Sequence, residues 1–162
     1  MSRSRASLEV GVLSDTHGLV RPEALDALAG VARIVHAGDV GKPEVLDALA
    51  RIAPVTAVRG NNDRGAWANR LPERAVVELC GARVLVLHDR HELDLDPRAA
   101  GFAAVVCGHS HRPSIERIDG VLHLNPGSAG PRRFRLPIAL ARLAVADDGR
   151  IDAWIVELTP HA

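Results

Sequence analysis

Five short polar stretches interrupt apolar runs in this chain: Asp15-Thr16-His17, Gly38-Asp39, Gly60-Asn61-Asn62-Asp63, His88, and Gly108-His109-Ser110-His111. Each follows a run rich in Val, Leu, Ile or Ala, so each reads as the polar end of a buried strand. Singly, such a His is a hydrogen-bonded core residue, such an Asp a cap, and "GNND" a turn that tolerates left-handed backbone. Four His, two Asp and one Asn gathered at strand ends describe instead a shared metal site. Imidazole, carboxylate and amide oxygen without thiolate suit Mn, Fe, Zn, Ni or Co better than a soft ion or an all-oxygen calcium site. The donors exceed the needs of one ion, whereas two ions sharing a carboxylate use them well. Such a pair keeps a net positive centre that attracts phosphate, generates a nucleophile near neutral pH and stabilises both oxygens of an in-line displacement. Alternate residues of an extended segment point the same way, so Asp-x-His and His-x-His are each expected to reach one ion. Gly38, Gly60 and Gly108 allow the backbone to approach closely and turn sharply.

The elements that must position these groups follow from periodicity. Leu8–Ser14 is a short apolar strand, and Pro22–Gly30 places Leu25, Leu28 and Ala29 on one helical face between a starting Pro and a closing Gly. "VARIVHAGD", "KPEVLDALARI" and "PVTAVRGN" continue as strand, helix, strand, which implies a parallel sheet with right-handed crossovers and a site at the carboxyl ends of its strands. Beyond residue 74 the pattern changes to paired apolar runs around Cys80-Gly81, Asp119-Gly120 and Asp148-Gly149, read as hairpins, with "FAAVVCGHS" a further strand between them. One domain over 8–162 with two packed sheets and outer helices is expected, after a disordered tail over 1–7.

Composition narrows the partners. The 162 residues suit one domain, and twenty basic residues balance twenty acidic ones, so no global field holds long nucleic acid or an anionic membrane. Trp67, Trp154, Phe102 and Phe134 do not cluster as a base-stacking platform does. No apolar stretch approaches the ~20 residues of a membrane span. Cys80 and Cys107 are too few and too far apart for a thiolate metal site or a disulfide framework; both are expected to be small buried hydrophobes in a reducing cytoplasm. The oligomeric state stays open.

The order D-x-H, GD, GNxD, H, GHxH resembles the calcineurin-like metallophosphoesterase superfamily, and the small size with "NPGSAGPR" resembles its compact bacterial and archaeal phosphodiesterase branch. The resemblance runs from Asp15 to Arg132. It implies an α/β fold, a four-layer αββα sandwich of two mixed β-sheets flanked by helices. It also implies two divalent transition-metal ions, manganese first with Zn, Fe, Ni or Co as alternatives, and a bridging hydroxide that attacks phosphorus. One ion would be held by Asp15, His17, Asp39 and His111, the other by Asp39, Asn61, His88 and His109, with Asp39 shared. Asp39, Asn62 and Asp63 are the residues assigned to the chemistry; Asn62, Ser128 and Arg132 are assigned to the substrate, a small phosphate ester. Asn125, Gly127 and Ser128 match an "NPGS" loop that can aim backbone N–H groups at a phosphate or simply end a hairpin. Two positions depart from the pattern. His88 is followed by Asp89-Arg90-His91 where many relatives have Gly, and Asn62 stands where much of the superfamily has His.

Outside that set, Arg132 and Arg133, with Arg112, are either phosphate ligands or solvated surface. His36 reads as core or as a support behind the ligands, His123 as structural and on the opposite side of its strand from Leu122 and Leu124, and His91 as undecided between ligand and proton donor. The alternative to a phosphodiesterase is a metal-binding protein-interaction scaffold, because the same fold resembles a retromer scaffold subunit that also lacks the catalytic His. Retention of all seven ligands favours the enzyme. A nuclease of the same fold fits less well with the neutral charge.

Overall fold

The computed structural model describes residues 7–159. The expected N-terminal tail lies outside these residues except for Ser7, which is already the first residue of a strand. The elements are β1 (Ser7–Leu13), α1 (Pro22–Ala27), β2 (Arg33–His36), α2 (Pro43–Ala50), β3 (Val55–Ala57), α3 (Ala66–Asn69), β4 (Arg74–Leu79), β5 (Ala82–Leu87), β6 (Ala104–Val106), β7 (Ser114–Ile118), β8 (Val121–Asn125), β9 (Ala139–Ala146) and β10 (Ile151–Glu157). They form two five-stranded mixed sheets, in the orders β10-β9-β1-β2-β3 and β4-β5-β6-β8-β7. β1, β2 and β3 are parallel, as the strand–helix alternation requires, and so are β5, β6 and β8. The three expected hairpins are β4-β5, β7-β8 and β9-β10.

Side-chain alternation explains how the sheets stack. Val10 and Val12 of β1, Val84 and Val86 of β5, Ala104 and Val106 of β6, and Leu122 and Leu124 of β8 point inward and form the core between the sheets. On the outer face of the first sheet, Leu13, Ile34 and Leu140 meet Ala24 and Leu28 from the α1 end, and Val45 and Leu49 of α2. Pro at the first turn of both helices fixes φ where no backbone donor is needed. The outer face of the second sheet is covered differently. Leu85, Leu87, Val105, Cys107 and Val121 lie under Phe102 and Leu93, in a stretch whose regular structure is one turn of 3₁₀ helix at Arg90–Glu92. That fourth layer is therefore thin. Strands and helices also stop earlier than expected, β3 at Ala57 and not Asn61, because the segments beyond them are the loops that carry the polar groups. Cys107 is buried, but Cys80 is exposed at the β4-β5 turn with φ 51°, a correction to the expected burial of both. No helix among the described residues is long and apolar enough to cross a membrane.

Candidate metal centre

Every parallel strand delivers polar groups at its carboxyl end. Asp15 and His17 follow β1, Asp39 follows β2, Asn61–Asp63 follow β3, His88 follows β5, His109 and His111 follow β6, and β8 ends in Asn125. Backbone bonds extend the β1–β2 pairing into the loops: Asp15 N donates to Gly38 O at 2.9 Å, His17 N to Asp39 O at 3.0 Å, and Gly18 N to Val40 O at 2.7 Å. In the second sheet Gly108 N donates to His88 O at 2.9 Å. A methyl group on Gly60 would collide with Asp39, and one on Gly108 with Ser14 and Asp15. Both glycines are thus the condition for the loops to touch.

The paired ligands converge by a route other than the expected pleat. Asp15, His17, Asp39, His109 and His111 have φ of 57°, 48°, 56°, 73° and 63°. Left-handed backbone costs an L-residue roughly 1–2 kcal/mol, so strain gathers at the positions that bear the chemistry. The side chains are aimed by tight loops, and the loop-to-loop hydrogen bonds offset that cost.

Five of the seven expected ligands meet. Asp15 Oδ1 lies 3.4 Å from His111 Nε2, 3.7 Å from His17 Nε2 and 3.8 Å from His88 Nε2. Asp39 Oδ2 lies 3.4 Å from His88 Nε2 and 3.8 Å from His17 Nε2. The ligand atoms of Asp15, His17 and His111, and again those of Asp15, Asp39 and His88, all fall within 4.8 Å of one another. Ligand atoms held ~2.0–2.2 Å from one ion stand about this far apart. Asp15 Oδ1 and His88 Nε2 are buried with no hydrogen-bond partner, and an unpaired buried polar atom is costly. A divalent cation bound at each of these atoms removes that cost, so the donor set fits metal.

Each carboxylate is held by its other contacts. Ser14 Oγ donates to Asp15 Oδ2 at 2.6 Å and His109 N to the same oxygen at 3.0 Å, leaving Oδ1 to face the imidazoles. Asn62 N donates to Asp39 Oδ1 and Asn62 Nδ2 to Asp39 Oδ2, both at 2.9 Å. Burial alone raises the Asp15 and Asp39 carboxyls, but hydrogen bonds and the charge of His88 outweigh it, and both fall below the ordinary carboxylate value. His88 is the counterpart. Burial pulls its imidazole down, yet the Asp39 carboxylate 3.4 Å from Nε2, the charge of Asp15 and the contact from Nδ1 to Ala37 O (2.7 Å) raise it to about 9. His17 is lowered by burial, which the two carboxylates oppose and the charge of Arg133 assists.

The remaining candidates separate by what they touch. His109 packs edge-on against His88, ring centres 5.2 Å apart, with Nε2 3.8 Å from Asp89 Oδ2. Asn61 is exposed and lines a cleft with His88, Asp89 and Asp63. Asp63 accepts hydrogen bonds from the amides of Val40, Gly41 and Gly60 at 3.1, 2.9 and 2.9 Å, so its part is to anchor its loop to the Asp39 loop. The "NPGS" loop is a brace. Ser128 Oγ donates to Asp15 O at 2.9 Å, Asn125 Nδ2 to Gly108 O at 2.9 Å, and the amides of Gly127, Ala129 and Gly130 are taken by Asn125, Ser14 and Ser128. Those three amides are not left to cradle a phosphate. Arg132 Nε donates to Leu136 O at 3.2 Å within its own exposed loop, and Arg133 reaches the site through its charge on His17. His91 is exposed and bonds through Nδ1 to Asp89 Oδ1 at 3.1 Å.

His36 carries a support that sequence reasoning named only loosely, and Ser14, Thr16 and the Asn62–Asp39 contact were missed. Their signal was the small polar residues flanking Asp15 in "SDTH". Gly38 N donates to His36 Nδ1, which leaves Nε2–H to donate to Thr16 Oγ1 at 3.0 Å, and Thr16 donates to Val40 O at 2.9 Å. That chain ties the Asp15 loop to the Asp39 loop through a neutral imidazole, which burial above all holds down to about 4.

The two histidines predict a pH dependence of opposite sign. His36 binds its proton more weakly folded than unfolded, so its contribution is complete above about pH 6.5 and is lost as pH falls towards 4. A difference of that size is worth about 3 kcal/mol. In metal-free protein His88 does the reverse, contributing below pH 6.5 and losing its contribution as pH rises through 9. Chelator-treated protein is thus expected to be most stable near pH 6.5, measured by urea denaturation from pH 4.5 to 9.5. His36→Gln should flatten only the acid limb; an unchanged acid limb would remove His36 from this role.

The model of the calcineurin-like phosphoesterase superfamily domain matches residues 8–148. A probable metallophosphoesterase of Methanocaldococcus jannaschii is 36% identical over 163 residues, covering 92% of this chain and 81% of that protein. A phosphodiesterase of the same organism is 26% identical over 139 residues, 74% of this chain and 83% of that protein. Among solved structures, Vps29 complexed with zinc from Entamoeba histolytica superposes with a TM-score of 0.73 at 22% identity, over 94% of this chain and 100% of that one, a likeness of fold alone. With the five motifs at the carboxyl ends of its parallel strands and a family model spanning most of its length, the chain belongs to the calcineurin-like phosphoesterase superfamily.

Proposed function

We propose that the protein hydrolyses small phosphate diesters with two divalent ions, manganese first among Mn, Zn, Fe, Ni and Co, in a reducing cytoplasm. One ion would be held by Asp15, His17, Asp39 and His111, the other by Asp39, Asn61, His88 and His109. When bound, such ions supply Lewis acidity and a water acidified enough to act near neutral pH. The chain supplies the rest. Ser14 and the His109 amide hold Asp15 so that Oδ1 faces the imidazoles, Asn62 holds Asp39, and Asp63 fixes the loop that carries Asn61 and Asn62. The observation that supports this reading is that a ligand atom of each proposed set, Asp15 Oδ1 and His88 Nε2, is buried without a hydrogen-bond partner at the strand ends, 3.8 Å from the other. Preference for a diester is supported by the relative described as a phosphodiesterase. The scaffold alternative has only a likeness of fold behind it.

Protein stripped with a chelator is expected to keep its circular-dichroism spectrum but to leave bis(4-nitrophenyl) phosphate intact, and Mn²⁺ should restore hydrolysis. The ligands sit on loops beyond the strands, not in the core that holds the fold. Full activity with no metal present would sink the reading.

A further inference from the structure

A cleft of about 500 Å³ opens beside His109 and runs down the outer face of the second sheet, where the covering layer is thin. Its floor is Val105 and Cys107 with His123, which pairs in register with Val105 and points away from the inward Leu122 and Leu124. One wall is Asp89–His91, and Arg112 and Ser110 stand at the end next to His109. Three features give it the character of a ligand site. Its volume lies in the range of about 300–1,000 Å³ that holds a small organic molecule. The His123 imidazole and the Arg112 guanidinium have no hydrogen-bond or ion-pair partner among the described residues. It is also continuous with the proposed metal centre, since His109 belongs to both.

We infer that this cleft is a subsite for the organic arm of the substrate, and that the arm is a flat ring system with heteroatoms on its edge, as in a nucleoside. This deepens the phosphodiesterase reading and rests on it. A ring attached to a phosphate at the metal centre enters the cleft directly past His109. An aliphatic arm would bury the His123 imidazole without a hydrogen-bond partner, which is costly, whereas the Ser110 hydroxyl already accepts from Arg112 N and Asn125 Nδ2 at 3.2 and 3.1 Å. A strongly anionic arm finds only Arg112, because Arg90 on the wall is already paired with Glu116 at 3.1 Å. His123 is lowered by burial and by the charge of Arg90, against the opposing charge of Glu116, so it is a neutral donor and acceptor at pH 7. Arg112 offers a planar guanidinium on which a ring stacks, the role an aromatic plays elsewhere.

The test compares adenosine 5′-(4-nitrophenyl phosphate) with methyl 4-nitrophenyl phosphate, which share a leaving group, and measures binding of adenosine 5′-monophosphate by calorimetry. Wild type should prefer the adenosine substrate by about tenfold or more in kcat/KM, carried by KM. Ser114→Phe, which fills the cleft from the half-buried end of β7, should erase that preference and leave the methyl diester within about twofold. His123→Ala should weaken monophosphate binding about tenfold. If the methyl diester is hydrolysed but no preference or monophosphate binding appears, the subsite is overturned and the phosphodiesterase stands. If neither diester is hydrolysed while the monophosphate binds and Ser114→Phe abolishes that binding, the reaction is overturned and the subsite stands. Failure of both overturns both, and an adenosine preference that survives in Ser114→Phe and His123→Ala places the arm elsewhere.

Discussion

Asp39→Asn is expected to cost the protein both ions and to lower phosphodiesterase turnover by about 10³-fold, more than the loss of a side chain that serves one ion. Asp39 Oδ2 stands 3.4 Å from His88 Nε2 and 3.8 Å from His17 Nε2, one histidine from each proposed set. Its carboxyl is held below the ordinary range against the burial that would raise it, so it meets the ions charged throughout the neutral range. An amide in its place keeps the shape and removes the charge that both ions share. Elemental analysis beside the rate measurement separates this from simple catalytic damage. Asp15→Asn supplies the contrast and should cost one ion. Were Asp39→Asn to retain two ions and Asp15→Asn to lose both, Asp15 would be the shared carboxylate, a role its Oδ1 could fill because three imidazoles lie 3.4–3.8 Å from it.

That the polar strand ends share one edge was legible from the sequence; how their side chains are aimed was not. The alternation of strand and helix up to residue 60 leaves a parallel sheet as its simple packing, and the carboxyl ends of such strands share an edge. That placed Asp15, Asp39 and the Asn61 loop correctly. The second sheet was harder, since the hairpins around Asp119-Gly120 and Cys80-Gly81 were visible but the parallel pairing of β5, β6 and β8 between them depends on contacts distant in sequence. Left-handed backbone at His17 or His111 leaves no signature in residue type, because only Gly, Asn and Asp advertise it. The "NPGS" loop illustrates the same limit. Its composition fits a phosphate cradle and a brace equally, and only the partners of Asn125, Gly127 and Ser128 distinguish them.

Wild-type protein is expected to lose rate steeply as the leaving group becomes more basic, and Asn62→His to flatten that dependence. Asn62 spends its amide N–H on Asp39 Oδ2 and its backbone N–H on Asp39 Oδ1. A carboxamide gives up no proton near pH 7. It can orient the carboxylate but cannot neutralise an oxygen that departs with negative charge. General acid catalysis is typically worth ~10²–10⁴-fold, and an aryl oxide needs little of it while an alkoxide needs all of it. The aryl rates should therefore be ordinary and the alkyl rates low by about that factor. An imidazole at position 62 has a proton to give near neutral pH, so Asn62→His should raise alkyl rates while aryl rates stay level or fall, the latter because Asp39 loses the donor that positions it. The measurement is rate against leaving-group pKa for both proteins, with ion content checked in each. A shallow slope already present in wild type would mean that another side chain protonates the leaving oxygen. His91 is then the first to replace, since its Nδ1 is oriented by Asp89 at 3.1 Å and its side chain is exposed to solvent. Loss of the shallow slope in His91→Ala would move the acid from the Asn61–Asp63 loop to the turn at Arg90–Glu92.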